Sequence, residues 1–101
     1  MESLTLLVTY TAKSGCREQF VRDIVTQGVL TAIRAEEGCL LYDYYFSAQD
    51  ENVVLLMERW ESEAHQRTHM TQPHMADLRA IKNQYIDSVR LVKVQEEPYA
   101  L

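Results

Sequence analysis

An α+β fold, with one antiparallel sheet and its helices gathered on one face, is predicted by two features of this 101-residue sequence. Apolar periodicity runs in the order strand, helix, strand, strand, helix, strand, and the third strand is apolar on both of its sides. The length suits a single domain, 1–101, whose core buries about two-thirds of the surface the unfolded chain would expose.

Each element has its own reason. Residues 4–10, LTLLVTY, are β-branched and aromatic over a strand's length and stop at the turn-forming Lys13-Ser14-Gly15. From Cys16 to Ala35 the apolar residues Phe20, Val21, Ile24, Val25, Val29, Ala32 and Ile33 recur at three and four, predicting a long amphipathic helix. Ser14 is its candidate N-cap, Gly28 a point of loosening and Gly38 its stop. Cys39–Phe46 and Val53–Trp60 read as two strands of a hairpin joined by the polar residues 47–52. Ser62 then caps a short helix starting at Glu63, and Thr71 and Pro73 start another that runs to about Gln84, with Met75, Leu78, Ile81 and Tyr85 turned inward. Ile86–Val94 alternates loosely and forms the last strand before Glu96-Glu97-Pro98.

The order β-α-β-β-α-β, with the second helix broken, is that of a ferredoxin-like sandwich, whose helices cover one sheet face only. In the third strand Val54, Leu56, Glu58 and Trp60 share one side, and Val53, Leu55, Met57 and Arg59 the other. The second strand splits into Leu40, Tyr42, Tyr44 and Phe46 against Leu41, Asp43 and Tyr45. A face this apolar is expected to pack on a second copy of the chain in a symmetric homodimer.

Composition excludes several function classes. Ten Lys and Arg against 15 Asp and Glu give a formal charge of −5, which repels nucleic acid and acidic membrane surfaces. Cys16 and Cys39 are too few for a disulfide framework and lack C-x-x-C spacing, so two buried, reduced thiols are expected. With neither a basic, apolar leader nor an apolar run of membrane-spanning length, the reading is an uncleaved cytoplasmic protein.

The stretch WESEAHQRTHMTQPHM, Trp60 to Met75, holds the only Trp and all three His. Glu61, His65 and His69 are spaced at four on one helix face, but they fall short of a zinc site, because no H-E-x-x-H and no distant Cys or His completes the set. His65 reads as a solvated or first-turn residue. His69 and His74 flank a bend, where side chains from two short helices can converge over the sheet, although a His near a helix break often only bonds a free carbonyl.

The pattern E-x-W-E-S-x-A-H-x-x-x-H followed by P-H-M, Glu58 to Met75, resembles the signature of the antibiotic biosynthesis monooxygenase (ABM) domain, most of all its small bacterial quinol monooxygenase branch. The Glu36-Glu37-Gly38-Cys39 segment is similar to that family's link from first helix to second strand. The resemblance implies a dimeric α+β barrel in which two subunits press their sheets together, each keeping a cleft between sheet and helices. It also implies oxidation of a small quinol or polyphenol by molecular oxygen without cofactor. A hydroquinone becomes a good electron donor once deprotonated, so a base poised near neutral pH in a dry aromatic pocket can start that reaction.

Within the resemblance His69 takes the catalytic role of base, and Trp60, His74 and Tyr44 that of substrate-binding residues, with His74 at the cleft mouth. Met57 alternates to the face opposite Trp60 and is set aside. No metal is expected. Haem is disfavoured as well, because the haem-degrading branch's ligand would fall near Arg79, and a guanidinium cannot be an axial ligand. The rival readings are a hydroxyketone isomerase and a non-enzymatic small-molecule-binding dimer of the same fold.

Overall fold

The computed structural model describes residues 2–100 as one four-stranded antiparallel sheet with four helices. The elements are β1 (Leu4–Ala12), α1 (Arg17–Thr26), α2 (Val29–Arg34), β2 (Cys39–Phe46), β3 (Val53–Trp60), α3 (Glu63–His69), α4 (Met75–Tyr85) and β4 (Ile86–Val94). The sheet order is β2-β3-β1-β4, the ferredoxin-like arrangement predicted, with β1 and β3 central. No described helix is long and apolar enough to cross a membrane.

The helices cover one face. Val8 and Tyr10 of β1, Tyr42 of β2, and Val54, Leu56 and Trp60 of β3 pack there against Phe20, Ile24, Ile33, Leu78 and Ile81. These residues project at alternate strand positions and at helical spacing, so burying them fixes both register and helix rotation. The first helical segment is two helices rather than one. Gly28 sits at φ 79°, the left-handed region, where its N–H caps Val25 and its carbonyl opens α2 by accepting from Ala32. Cys16, not Ser14, occupies the N-cap of α1, with no side-chain cap bond.

Two further details depart from the expected pattern. The β2–β3 register slips between Cys39 and Leu41, so Cys39 pairs with Trp60 and joins the helix-facing side, while Leu40 is 52% exposed. A bulge here inserts one residue, and period-two alternation cannot be carried across it. Both cysteines are free, and each is half-buried rather than buried.

The opposite sheet face carries Leu7, Thr9, Leu55 and Met57, none of them covered by a helix. The chain after β4 turns across one end of this face. There Glu96 accepts from Thr5 Oγ1 at 2.7 Å and from Arg59 Nε at 2.7 Å, which holds its carboxyl far down, at about 2.

The link between α2 and β2 depends on Gly38, at φ 83°. A Cβ there would overlap the His65 ring. Gly38→Ala should therefore lower Tm through two effects, the left-handed backbone, roughly 1–2 kcal/mol, and the displaced imidazole. Gly28→Ala, with nothing within 4 Å of its Cβ, should show the backbone cost alone. Thermal melts of the two variants should differ, and adding His65→Ala to Gly38→Ala should close that gap.

Candidate active site

The Gly38 link does more than turn the chain. Glu36 N–H donates to Ile33 O at 3.0 Å, Glu36 O accepts from Cys39 N–H at 3.2 Å, and Gly38 O accepts from Glu61 N–H at 2.8 Å. This clamps Glu36 between the end of α2 and the start of α3, with its carboxylate only 9% exposed. Ser62 starts α3 by accepting the His65 N–H at 3.2 Å, and seven residues later His69 closes the helix. The turn through Pro73 then brings His74 to the start of α4.

These three elements meet on one atom. Glu36 Oε2 lies 2.8 Å from His69 Nδ1 and 2.7 Å from His74 Nε2. An ionised carboxylate oxygen accepts two N–H bonds, so each imidazole donates through the nitrogen named and, in its neutral form, has its lone pair on the other. For His69 that lone pair is on Nε2. Its ring, 2% exposed, lies 4.5 Å from the Trp60 ring at 33° and 5.9 Å from that of Tyr42.

Trp60 is fully buried and donates its indole N–H to Glu58 Oε1 at 2.9 Å. Tyr44 packs edge-on to Phe20 and Tyr42, and its hydroxyl is buried with no hydrogen-bond partner among the described residues. Burial pushes the phenols of Tyr10, Tyr42 and Tyr44 well above their ordinary range, and also pushes Lys82 down. The imidazole thus packs on Trp60 and Tyr42 at the edge of a buried aromatic layer.

Of the residues singled out from the sequence, His69, His74, Trp60 and Tyr44 all belong to the helix-facing side, His69 on Trp60 and His74 a fifth exposed at its edge. Met57 is on the other face. His65 lies outside this set: its Nδ1 is 2.7 Å from Ser62 Oγ and its ring packs over Gly38. The metal-like set drawn on one helix face does not form, since His65 turns to Glu61 at 3.7 Å while His69 turns to Glu36. Glu36 was not anticipated. Only its place in the Glu-Glu-Gly-Cys link hinted at a role.

The chain belongs to the antibiotic biosynthesis monooxygenase family, whose model matches residues 3–81. A stretch of 58 residues is 33% identical to the Bacillus subtilis protein named "Putative monooxygenase YcnE", and the match spans 57% of this chain and 59% of that one. The fold is similar to PA3566 from Pseudomonas aeruginosa, with a TM-score of 0.83 at 24% identity over 97% of both chains. It is likewise similar to Rv0793 from Mycobacterium tuberculosis, with a TM-score of 0.81 at 23% identity over 99% of this chain and 100% of that one.

Electrostatics beneath the site generate a stability test. Burial raises the Glu58 carboxyl above its usual 4.5, although the Trp60 N–H, His69 and Lys82 pull it down. A carboxyl raised on folding binds its proton more tightly in the native state, so its contribution to stability falls as pH rises from the unfolded value through the folded one. Glu58→Gln keeps an acceptor for Trp60 and removes that titration. Melts between pH 4 and 7 should show the variant gaining on the parent protein as pH rises, with the two converging at the acid end.

Proposed function

We propose that this chain is a cofactor-independent monooxygenase acting on a small quinol or polyphenol, with His69 as the base. The observation that carries the reading is the bond from His69 Nδ1 to Glu36, which leaves Nε2 as the basic nitrogen beside Trp60 and Tyr42. A neutral imidazole oriented by a carboxylate is suited to take a phenolic proton. The quinolate then passes electrons to molecular oxygen. One oxygen atom enters a ring carbon that gives up its hydrogen, the other leaves as water, and the product is a hydroxyquinone. The substrate supplies all four electrons, so the balance calls for no external reductant.

Three other side chains have supporting roles in this reading. Glu36 is a positioning residue, acting through His69. His74, a fifth exposed, meets the substrate oxygen at the mouth. Tyr44 offers a buried hydroxyl whose lack of a partner costs roughly 1–3 kcal/mol, a cost that a substrate oxygen would relieve. Family membership supports the oxygenase class, and the name of the Bacillus subtilis relative points the same way.

The same reading includes a homodimer formed through the helix-free sheet face. Leu55 lies on that face, half-buried in the single chain, and Leu55→Asp would place a charge where the partner packs. Sedimentation at micromolar concentration should give twice the 11.8 kDa chain mass for the parent protein and a folded monomer for the variant.

Activity is tested in an oxygen electrode with a panel of reduced quinones and catechols. His69→Ala should lose on the order of 10² to 10⁴ in kcat, and Glu36→Gln should lose less, again in kcat. His74→Ala should mainly raise KM, whereas His65→Ala should leave turnover near that of the parent protein. Oxygen uptake that persists in His69→Ala sinks the base assignment. No uptake, with a proton moved between carbons of a hydroxyketone, would instead favour an isomerase.

A further inference from the structure

The three atoms that meet at Glu36 form a constellation with a second chemistry. Among the described residues, Glu36, His69 and His74 are the group whose ligand atoms converge tightly enough to hold a metal ion, all lying within 4.8 Å of one another. The carboxylate oxygen stands 2.8 Å and 2.7 Å from the two nitrogens. With metal–ligand bonds of about 2.0–2.1 Å, the carboxylate oxygen and either nitrogen, so spaced, subtend roughly 80–90° at an ion, as neighbouring ligands of a six-coordinate ion do. Two imidazoles and one carboxylate are a donor set that borderline divalent transition metals accept, with water completing the coordination.

The surroundings favour a cation. Glu58 lies within electrostatic reach of both Glu36 and His69, adding a second carboxylate partly offset by Lys82, and the chain carries a net charge of −5. His74, a fifth exposed, gives an entry path from solvent, while Glu36 and His69 form the closed floor. The residues come from three separate elements held by the Gly38 link, the α3 C-terminus and the α4 start, so the donor set is preassembled.

We propose that Glu36 Oε2, His69 Nδ1 and His74 Nε2 bind one divalent transition-metal ion, and that this ion switches off the base. The inhibitory half rests on the function proposed above. In the metal-free chain the His69 proton is on Nδ1 and the lone pair on Nε2. An ion on Nδ1 takes that lone-pair position, so the proton must move to Nε2, and the His74 proton moves likewise from Nε2 to Nδ1. No net proton is released and no electron moves. His69 is converted from an acceptor to a donor on the side where a phenolic proton must be taken.

The test uses the full chain, stripped with a chelator and titrated with Co²⁺ or Zn²⁺. Co²⁺ should give a visible ligand-field band that saturates at one ion per chain and is lost in Glu36→Gln and His74→Ala but kept in His65→Ala. With ¹⁵N-labelled histidine, Zn²⁺ should move the His69 N–H signal from Nδ1 to Nε2. Quinol-dependent oxygen uptake should fall in proportion to occupancy and return with chelator. Absence of the band, or a band unchanged in Glu36→Gln and His74→Ala, overturns the site. A band of the expected kind with no turnover of any quinol by the metal-free protein keeps the site and removes the quinol reading. Turnover unaffected or raised at full occupancy overturns the switch.

Discussion

One carboxylate oxygen organises the helical side of this protein. Glu36 Oε2 is the shared partner of His69 and His74, residues 33 and 38 positions further along the chain. Charge-assisted bonds of this kind are worth about twice a neutral one, and burial of Glu36 raises the stake, because a carboxylate removed from water without donors is severely penalised. The two imidazoles meet that need, and in doing so they fix where α3 ends and α4 begins. The broken second helix is therefore a device for bringing two rings to one acceptor. A continuous helix would turn residues five positions apart by about 500°, or some 140° from alignment, and could not present both.

The sheet beneath is divided in the same spirit. Its helix-facing side is a packed aromatic layer in which Trp60, Tyr42 and Tyr44 support the His69 ring, and in which burial keeps the phenols from ionising. The other side carries aliphatic residues without helical cover, and one end is held by the Arg59–Glu96–Thr5 contact. The buried titratable groups Glu36, Glu58 and His69 are gathered on the first side, while the second is left without helical cover. The β2 bulge at Cys39 to Leu41 serves the first side, since it swings Cys39 inward beside Trp60 and turns Leu40 out.

Much of this was legible in the sequence where a single physical rule dominates. The bounds of β2, β3 and β4 follow from β-branched and aromatic alternation ended by polar residues, and the α3 cap follows from Ser62. Gly28 was legible as a point of loosening but not as a full break, and the bulge in β2 was not legible at all, because it shifts the register by one residue without a change in composition. Glu36 was hidden for a different reason. It stands beside Glu37 with the same chemistry, yet the Glu37 side chain is 93% exposed and that of Glu36 is 9% exposed. What separates them is side-chain direction out of a turn, and that is set by three backbone hydrogen bonds and by the positive φ of Gly38. Likewise His65 and His69 look equivalent at a spacing of four, but one meets Ser62 and the other Glu36.

The tautomer of His69 is the property on which the proposed chemistry turns. An imidazole has one proton and one lone pair when neutral, so whatever engages Nδ1 dictates what Nε2 can do. A carboxylate at Nδ1 makes Nε2 an acceptor, whereas any group that needs the Nδ1 lone pair makes Nε2 a donor. Because Glu36 also holds His74, the two rings are coupled: a ligand that captures one nitrogen at this oxygen meets the other within bonding reach. A hydrogen bond thus sets which nitrogen of His69 faces Trp60 and Tyr42 with its lone pair, and that choice is made more than thirty residues away in sequence, in the four-residue link that ends the first helical pair.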